Sequence, residues 1–431
     1  MGKKSNLIYS MKSVDIQDKI EEYLPVRNDE KERYGEVFTP MSLINEMMDK
    51  LPKKVWKNPN LKWLDPANGI GNFPMVIFER LNKGLKDIIP NQEERKKHII
   101  ENMLYMVELN EKNIGVSKKI FGNNANIYCG SFLEDGWKDY FGVDKFDVII
   151  GNPPWNKPKI KKQTGSRAKN TLWDYFIIKA LDSLNTNGYL GFINPAGWRG
   201  LSPNYRDLWN TMKNKQIVYL HILSKKDGMK YFNVGSRFDL YVLQNTDNTK
   251  PTEVIDELGD IHQFKLNDMP FLPNYAYEEI GRILTNVEEG VDVIMSYNNY
   301  FAYIKNNNMN KTKTDQFKYP VVHSITRKGI GFWYSNTNEK GHFDVPKVIL
   351  NFNENQYSHK EQNDYEGKFG MSQLSFGIPI KSKKEGNLIL KAIDTPMFKK
   401  IIASTKWGVF QTDYRMFNHF KKDWYKILLK K

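Results

Sequence analysis

The chain has 431 residues, 40% hydrophobic and 13% aromatic, which allows two or three domains with real cores and excludes global disorder. No run approaches the ~20 apolar residues of a membrane span, and the amino-terminal MGKKSNLIYSMKS lacks an apolar stretch of signal-peptide length. A single cysteine, Cys129, argues against a disulfide framework or a Cys-rich zinc site and fits a reducing cytoplasm, while a net charge of +14 with a pI near 9.3 suits a polyanionic partner or simply an Asn/Lys-rich chain.

Residues 1–30 are charged and weakly patterned, and read as an extension without chemistry of its own. Arg33-Tyr34-Gly35-Glu36-Val37-Phe38-Thr39-Pro40 then leads into a helical pattern from Met41 to Leu51, with Thr39 expected as N-cap and Pro40 at the first helical position. Trp63-Leu64-Asp65 closes a short strand and opens the turn Pro66-Ala67-Asn68-Gly69-Ile70-Gly71-Asn72-Phe73, after which Met75 to Lys83 reads as a helix. A strand, a Gly-rich turn and a helix bring backbone amides close to a ligand. There is no third glycine of a dinucleotide fingerprint, and the acidic Asp65 beside the turn suits an ammonium better than a pyrophosphate. Met103 to Val107 is the next expected strand, with Glu108 at its end, where an acid can accept both hydroxyls of a ribose or stand as a solvated charge. A helix from Glu111 to Phe121 leads to the strand Ile127-Tyr128-Cys129, in which Cys129 is expected as a small buried hydrophobe, and then to Gly130-Ser131-Phe132-Leu133.

Phe146 to Gly151 is apolar without alternation, the pattern of a strand covered on both faces. It runs into Asn152-Pro153-Pro154-Trp155, which must leave the sheet because neither proline can donate to a ladder. The tetrapeptide therefore sits where open α/β sheets bind ligands. An exocyclic base amine is a poor nucleophile because its lone pair is delocalised into the ring. The Asn152 oxygen can accept one of its N–H groups and the Pro153 carbonyl, held stiff by Pro154, the other, while Trp155 offers a stacking face for an extruded base.

Residues 156–169, NKPKIKKQTGSRAK, contain Lys157, Lys159, Lys161, Lys162 and Arg167 and no acid, a composition suited to a phosphate backbone as well as to a solvated loop. A helix from Thr171 to Leu184 and strands at 188–194, 217–223 and 238–243 follow, with Tyr231-Phe232-Asn233-Val234 between the last two. After Asn245 a polar linker ends the strand–helix alternation, and residues 255–431 read as a separate α+β domain rich in Tyr, Trp, Lys and Asn. Asp364-Tyr365-Glu366-Gly367-Lys368 spaces its acids too closely for a nuclease core, and no metal site is expected.

Taken in order, GEVFTP, DPANGIGNF, an acid after the second strand and NPPW after the fourth resemble the γ-class of DNA amino-methyltransferases, the adenine-N6 enzymes of restriction–modification systems, over about residues 33–245. The resemblance implies a Rossmann-like α/β sheet with helices on both faces over residues 31–245, S-adenosyl-L-methionine as cofactor, double-stranded DNA as substrate, a possible cognate restriction endonuclease, no membrane association, and a carboxyl-terminal target-recognition domain over 255–431. Phe38, Thr39, Pro40, Asp65, Ala67, Gly69, Gly71, Asn72, Phe73, Ser131, Phe132 and Asn152 would then hold the cofactor and Glu108 its ribose, with Phe232 sandwiching the flipped base opposite Trp155. Ser131 stands where the family usually has an aspartate against the cofactor adenine, and Asn68 where a small or cysteine residue is common. Two other readings stay open: an amino-methyltransferase acting on RNA or a protein glutamine, and a catalytically impaired DNA-binding defence component. Cytosine-C5 methylation is disfavoured, because it needs a thiolate nucleophile that Cys129 is not placed to supply.

Overall fold

An unbroken apolar strand needs cover on both faces, and the chain provides it in the middle of a nine-stranded sheet. In the computed structural model, which describes residues 7–10, 15, 39–157, 170–296, 300, 308–352, 356–408 and 412–430, two units are distinct. The first comprises Met1–Trp198 and Asn204–Met269, the second Arg199–Pro203 and Pro270–Lys431.

The first unit holds strands β1 (Trp63–Asp65), β2 (Leu104–Glu108), β3 (Asn126–Cys129), β4 (Phe146–Gly151), β5 (Leu184–Pro195), β6 (Lys215–Leu223), β7 (Phe238–Asp247), β8 (Thr252–Ile255) and β9 (Ile261–Phe264). They lie in the order β3-β2-β1-β4-β5-β7-β6-β8-β9. β1 to β5 pair in parallel, β7 is antiparallel to both its neighbours, β8 is parallel to β6, and β9 is antiparallel to β8. The order reverses at β1/β4, so the carboxyl ends of these two central strands face one crevice, the switch point at which such sheets hold ligands. Helices Met41–Asp49, Asn72–Gly84, Glu111–Phe121, Trp173–Asp182, Arg206–Asn214 and Lys225–Phe232 cover the sheet. Met47, on the buried side of the first of these, comes so close to β5 that a Cβ on Gly191 would lie 2.8 Å from its sulfur.

Three expectations are corrected here. The sheet continues past the expected boundary between 245 and 255: β8 and β9 extend it, and the division falls between Met269 and Pro270. Thr39 does not cap the helix Met41–Asp49; Pro40 is its N-cap and no side-chain bond closes it. Cys129 is exposed rather than buried, because it ends an edge strand.

The second unit is α+β. One sheet joins Ile294–Met295, Ser375–Pro379, Lys347–Asn351 and Asn363–Asp364, and another joins Met309–Asn310, Gly329–Ser335, Tyr319–Thr326 and Gly370–Met371. Its core gathers Phe271, Ile280, Leu350, Phe376, Ile401, Phe417 and Trp424 with the helices Lys383–Ile393 and Pro396–Ser404. Arg199 is wholly buried in this unit, donating to the carbonyls of Leu272 and Pro273 and to Asn274 Oδ1. Asp364 is also structural: it pairs with the buried Lys347 at 2.8 Å and accepts from the amides of Lys368 and Phe369.

Candidate active site

β1 delivers Asp65 into the crevice almost fully buried, at 2% exposure. Its Oδ1 accepts from the Ala67 amide at 3.1 Å, and its Oδ2 has no hydrogen-bond partner among the described residues. Burial drives its carboxyl up to about 8, against the Ala67 N–H that favours the anion and with further help from the nearby Glu108 charge. The turn that follows needs its glycines for their backbone: Gly69 and Gly71 have φ of +56° and +96°, and a Cβ on Gly71 would sit 2.9 Å from the Phe121 ring. Asn68 donates to Ser117 Oγ at 2.8 Å, while its Oδ1 and that of Asn72 are buried without partners among the described residues. Three orphaned acceptors thus surround one turn. They fit a cationic, donor-bearing ligand such as the ammonium end of an amino acid.

Glu108 ties this turn to β2, accepting from the Gly69 amide at 2.6 Å and the Asn110 amide at 2.7 Å. It is therefore more than a charge at a strand end: a carboxylate only accepts, and here it takes backbone amides on both its oxygens. Beside it Leu109 is 57% exposed, an apolar surface that no motif singles out. Its only signal in the sequence is an apolar residue directly after a strand-end acid. Ser131 lies on a turn one strand away, its Oγ accepting from the Leu133 amide at 3.2 Å. The Phe132 side chain is wholly buried and stacks on Trp137 at 5.5 Å. Phe73 is likewise buried.

β4 runs alongside β1, and a Cβ on Gly151 would lie 2.7 Å from Asp65 Oδ1. The next residue is Asn152. Its Nδ2 donates to Thr39 Oγ1 at 3.1 Å, and its Oδ1 accepts from Trp155 Nε1 at 3.1 Å. Trp155 Nε1 also reaches the Ile193 carbonyl at 3.4 Å, and the Trp155 backbone carbonyl accepts from the Leu172 amide at 3.0 Å. Trp155 is thereby fastened to β5 and to the residue that precedes the helix Trp173–Asp182.

The expected aromatic sandwich is not the arrangement found. Phe232, at the end of its helix, meets Trp155 edge-on, with ring centres 5.1 Å apart at 83°, and Phe238 covers a Trp155 face at 4.2 Å and 34°. Trp155 is 8% exposed. Two parallel rings enclosing a base stand ~7 Å apart, twice the ~3.5 Å contact distance of carbon atoms, so Phe232 must move before it can stack on a base against Trp155. Among the basic residues singled out, Lys157 lies at the start of its segment with its Nζ 5.7 Å from the centre of the Tyr175 ring. Phe38, Lys159, Lys161, Lys162 and Arg167 fall outside the described residues.

Residues 67–227 match the Eco57I restriction-modification methylase family. The "Uncharacterized adenine-specific methylase" of Mycoplasma pneumoniae is 30% identical, the match covering 50% of this chain and 70% of that protein. The Type II methyltransferase M.VspI of a Vibrio species is 28% identical over 44% of each chain, so the match spans less than half of that relative. Among solved structures, the Type IIL restriction-modification enzyme MmeI in complex with DNA superposes with a TM-score of 0.50 at 14% identity, covering 96% of this chain and 68% of that one, a likeness of fold alone.

Proposed function

We propose, from the premise that the chain belongs to the adenine-specific methylases of restriction–modification type, that it transfers a methyl group from S-adenosyl-L-methionine to N6 of an adenine turned out of double-stranded DNA. The observation that carries this reading is the adjacency of Asp65 and Asn152, since the glycine preceding Asn152 lies directly against the Asp65 carboxylate. A cationic amino-acid group held by Asp65 and an amine held by Asn152 are thus brought to neighbouring positions.

S-adenosyl-L-methionine, when bound, supplies a methyl carbon made electrophilic by its positively charged sulfur. Asp65 holds the ammonium, with Asn68 and Asn72 as further acceptors, and Glu108 accepts from the ribose hydroxyls. Leu109 offers an apolar face beside Glu108 for the purine, a contact that meets the lack of an aspartate at Ser131. Asn152 Oδ1 and the Pro153 carbonyl accept the two N–H groups of the target amine. Drawing those hydrogens out of the ring plane returns the lone pair to nitrogen, which would form the new N–C bond as the S–CH3 bond breaks, its electron pair staying on sulfur and the neutral thioether S-adenosyl-L-homocysteine leaving, and the methylated nitrogen would afterwards release one proton to water. No covalent enzyme intermediate is needed, so the rate comes from position and electrostatics. A protein glutamine as substrate falls away with the family.

In this reading the second unit and the segment from Lys157 to Lys169 bind the DNA, a cognate restriction endonuclease recognises the same site, and both act in the cytoplasm. No helix among the described residues is long and apolar enough to cross a membrane. The test is to incubate the protein with labelled cofactor and genomic DNA, digest to nucleosides and identify the labelled one, expected to be N6-methyladenosine as its deoxynucleoside. Asn152→Ala should lower the rate about a hundredfold or more while cofactor and DNA still bind. Activity within a few-fold of the parent would remove Asn152 from the mechanism.

A further inference from the structure

A terminal carboxamide has two ends of opposite hydrogen-bonding sense, and turning it by 180° exchanges an acceptor for a donor. At Asn152 this exchange matters, because a target amine approaching the wrong end would meet NH2 against NH2. The surrounding bonds decide which end is where. Thr39 Oγ1 takes the Nδ2 end at 3.1 Å, but a hydroxyl both donates and accepts, so Thr39 alone would tolerate either orientation. The indole Nε1–H of Trp155 is a donor only, and at 3.1 Å it faces the Oδ1 end. It therefore fixes the sense of the carboxamide. The same N–H is anchored at 3.4 Å by the Ile193 carbonyl of β5, and the Trp155 ring is pinned by Phe238 and Phe232. Thr39 is buried, and its hydroxyl makes no cap bond to the helix that starts two residues later, which leaves it for Asn152.

We propose that Trp155 and Thr39 are positioning residues for Asn152: the indole N–H sets which end of the carboxamide is the acceptor, and the Thr39 hydroxyl holds the other end in place. The assignment rests on the reading of Asn152 as the amine-holding group. It departs from the expectation that Thr39 holds the cofactor, and it gives Trp155 a role that its flat face alone does not explain. Oδ1 retains its second lone pair for the target amine while the indole occupies the first.

Trp155→Phe keeps an aromatic face and removes the N–H. Thr39→Val keeps the shape and removes the hydroxyl, and Thr39→Ser restores it. The single-turnover methylation rate with saturating cofactor and DNA should fall about tenfold or more in Trp155→Phe and Thr39→Val, the effect of one misdirected hydrogen bond, and Thr39→Ser should recover to within about threefold. Cofactor affinity by calorimetry, DNA affinity, and the fluorescence of 2-aminopurine at the target position should stay at parental values in all three. A Trp155→Phe enzyme with the parental rate overturns the role of the N–H, and one that loses the 2-aminopurine signal along with its rate shows that Trp155 acts by stacking. A Thr39→Val enzyme that binds cofactor weakly but recovers its rate at saturation makes Thr39 a cofactor ligand and overturns its part. Failure of the underlying reading is separable, because then Asn152→Ala itself remains active.

Discussion

Burial places an electrostatic cost on Asp65, and that cost has a sign that can be measured. An aspartate in an unfolded chain titrates near 3.9, whereas burial here holds Asp65 up to about 8. Between those values the folded protein binds one more proton than the unfolded chain, so raising the pH from about 4 to about 8 lowers stability through this group, with no further loss above. An ammonium against the carboxylate reverses the preference and expels the proton. Cofactor affinity should therefore rise by up to about tenfold per pH unit from pH 6 toward 8, then stop rising as an α-amino group, with its own value near 8, loses its charge. Calorimetry in buffers of different ionisation enthalpy should detect the released proton, and Asp65→Asn should bind weakly with no such dependence. An affinity that is flat across this range would sever Asp65 from the ammonium. The position of Asp65 was legible from its place after a short strand and before a glycine turn. Thr39 was misread for a related reason: Thr-Pro before a helix is a cap signal, but the hydroxyl is taken by Asn152, 113 residues away, and no local pattern reports that.

At the scale of elements, the central strands were legible because full burial on two faces forces an unbroken apolar run, as in Phe146–Gly151. β8 and β9 were not, being four residues each at the far edge of the sheet with alternating exposure, a pattern too short to stand out in a polar stretch. Cys129 failed the same way at the opposite edge. The edge-on meeting of Trp155 and Phe232 is a tertiary contact between segments far apart in sequence, which a list of aromatic residues cannot supply. The ladder between β1 and β4 holds the two central strand ends together, and the lack of a side chain at Gly151 lets Asp65 lie against it, which gives a paired prediction. Gly151→Ala should destabilise the first unit by about 1–3 kcal/mol and lower its melting temperature by several degrees, because the added carbon meets Asp65 Oδ1 at 2.7 Å. Gly115→Ala, in the helix Glu111–Phe121 with nothing within 4 Å of the new carbon, should instead stabilise by roughly 0.5–1 kcal/mol. Thermal melts of the two variants should move in opposite directions. A Gly151→Ala protein that melts with the parent would mean that Asp65 has room to retreat, and its cofactor affinity would then be the more sensitive measure.

For the whole molecule, the two units divide the task if the second one reads DNA, and its antiparallel hairpin is where that reading is most exposed to trial. Tyr319–Thr326 and Gly329–Ser335 pair around a tip formed by the exposed Arg327 and Lys328, with an irregularity in register between Val322 and Ser324. On this hairpin the Trp333 ring stacks on His323 at 4.8 Å and 27°, and Lys311 Nζ stands 5.5 Å from the Trp333 ring centre. Cations at a tip and a cation-bearing aromatic pair behind it are groups that meet phosphates and base edges in a groove. Neutralising Arg327 and Lys328 together should weaken binding to all duplexes alike and reduce the log–log salt slope by roughly 0.9 for each phosphate left without its cation. Trp333→Ala should leave that slope near the parental value and broaden the set of sequences that become methylated, read by mapping modified adenines across a genome. Asn152→Ala should alter neither the slope nor the preferred site, since it acts on the amine after the sequence has been chosen. If the double variant keeps its salt slope and the Trp333 variant keeps its sites, the hairpin does not touch DNA, and site choice must lie in another part of the chain.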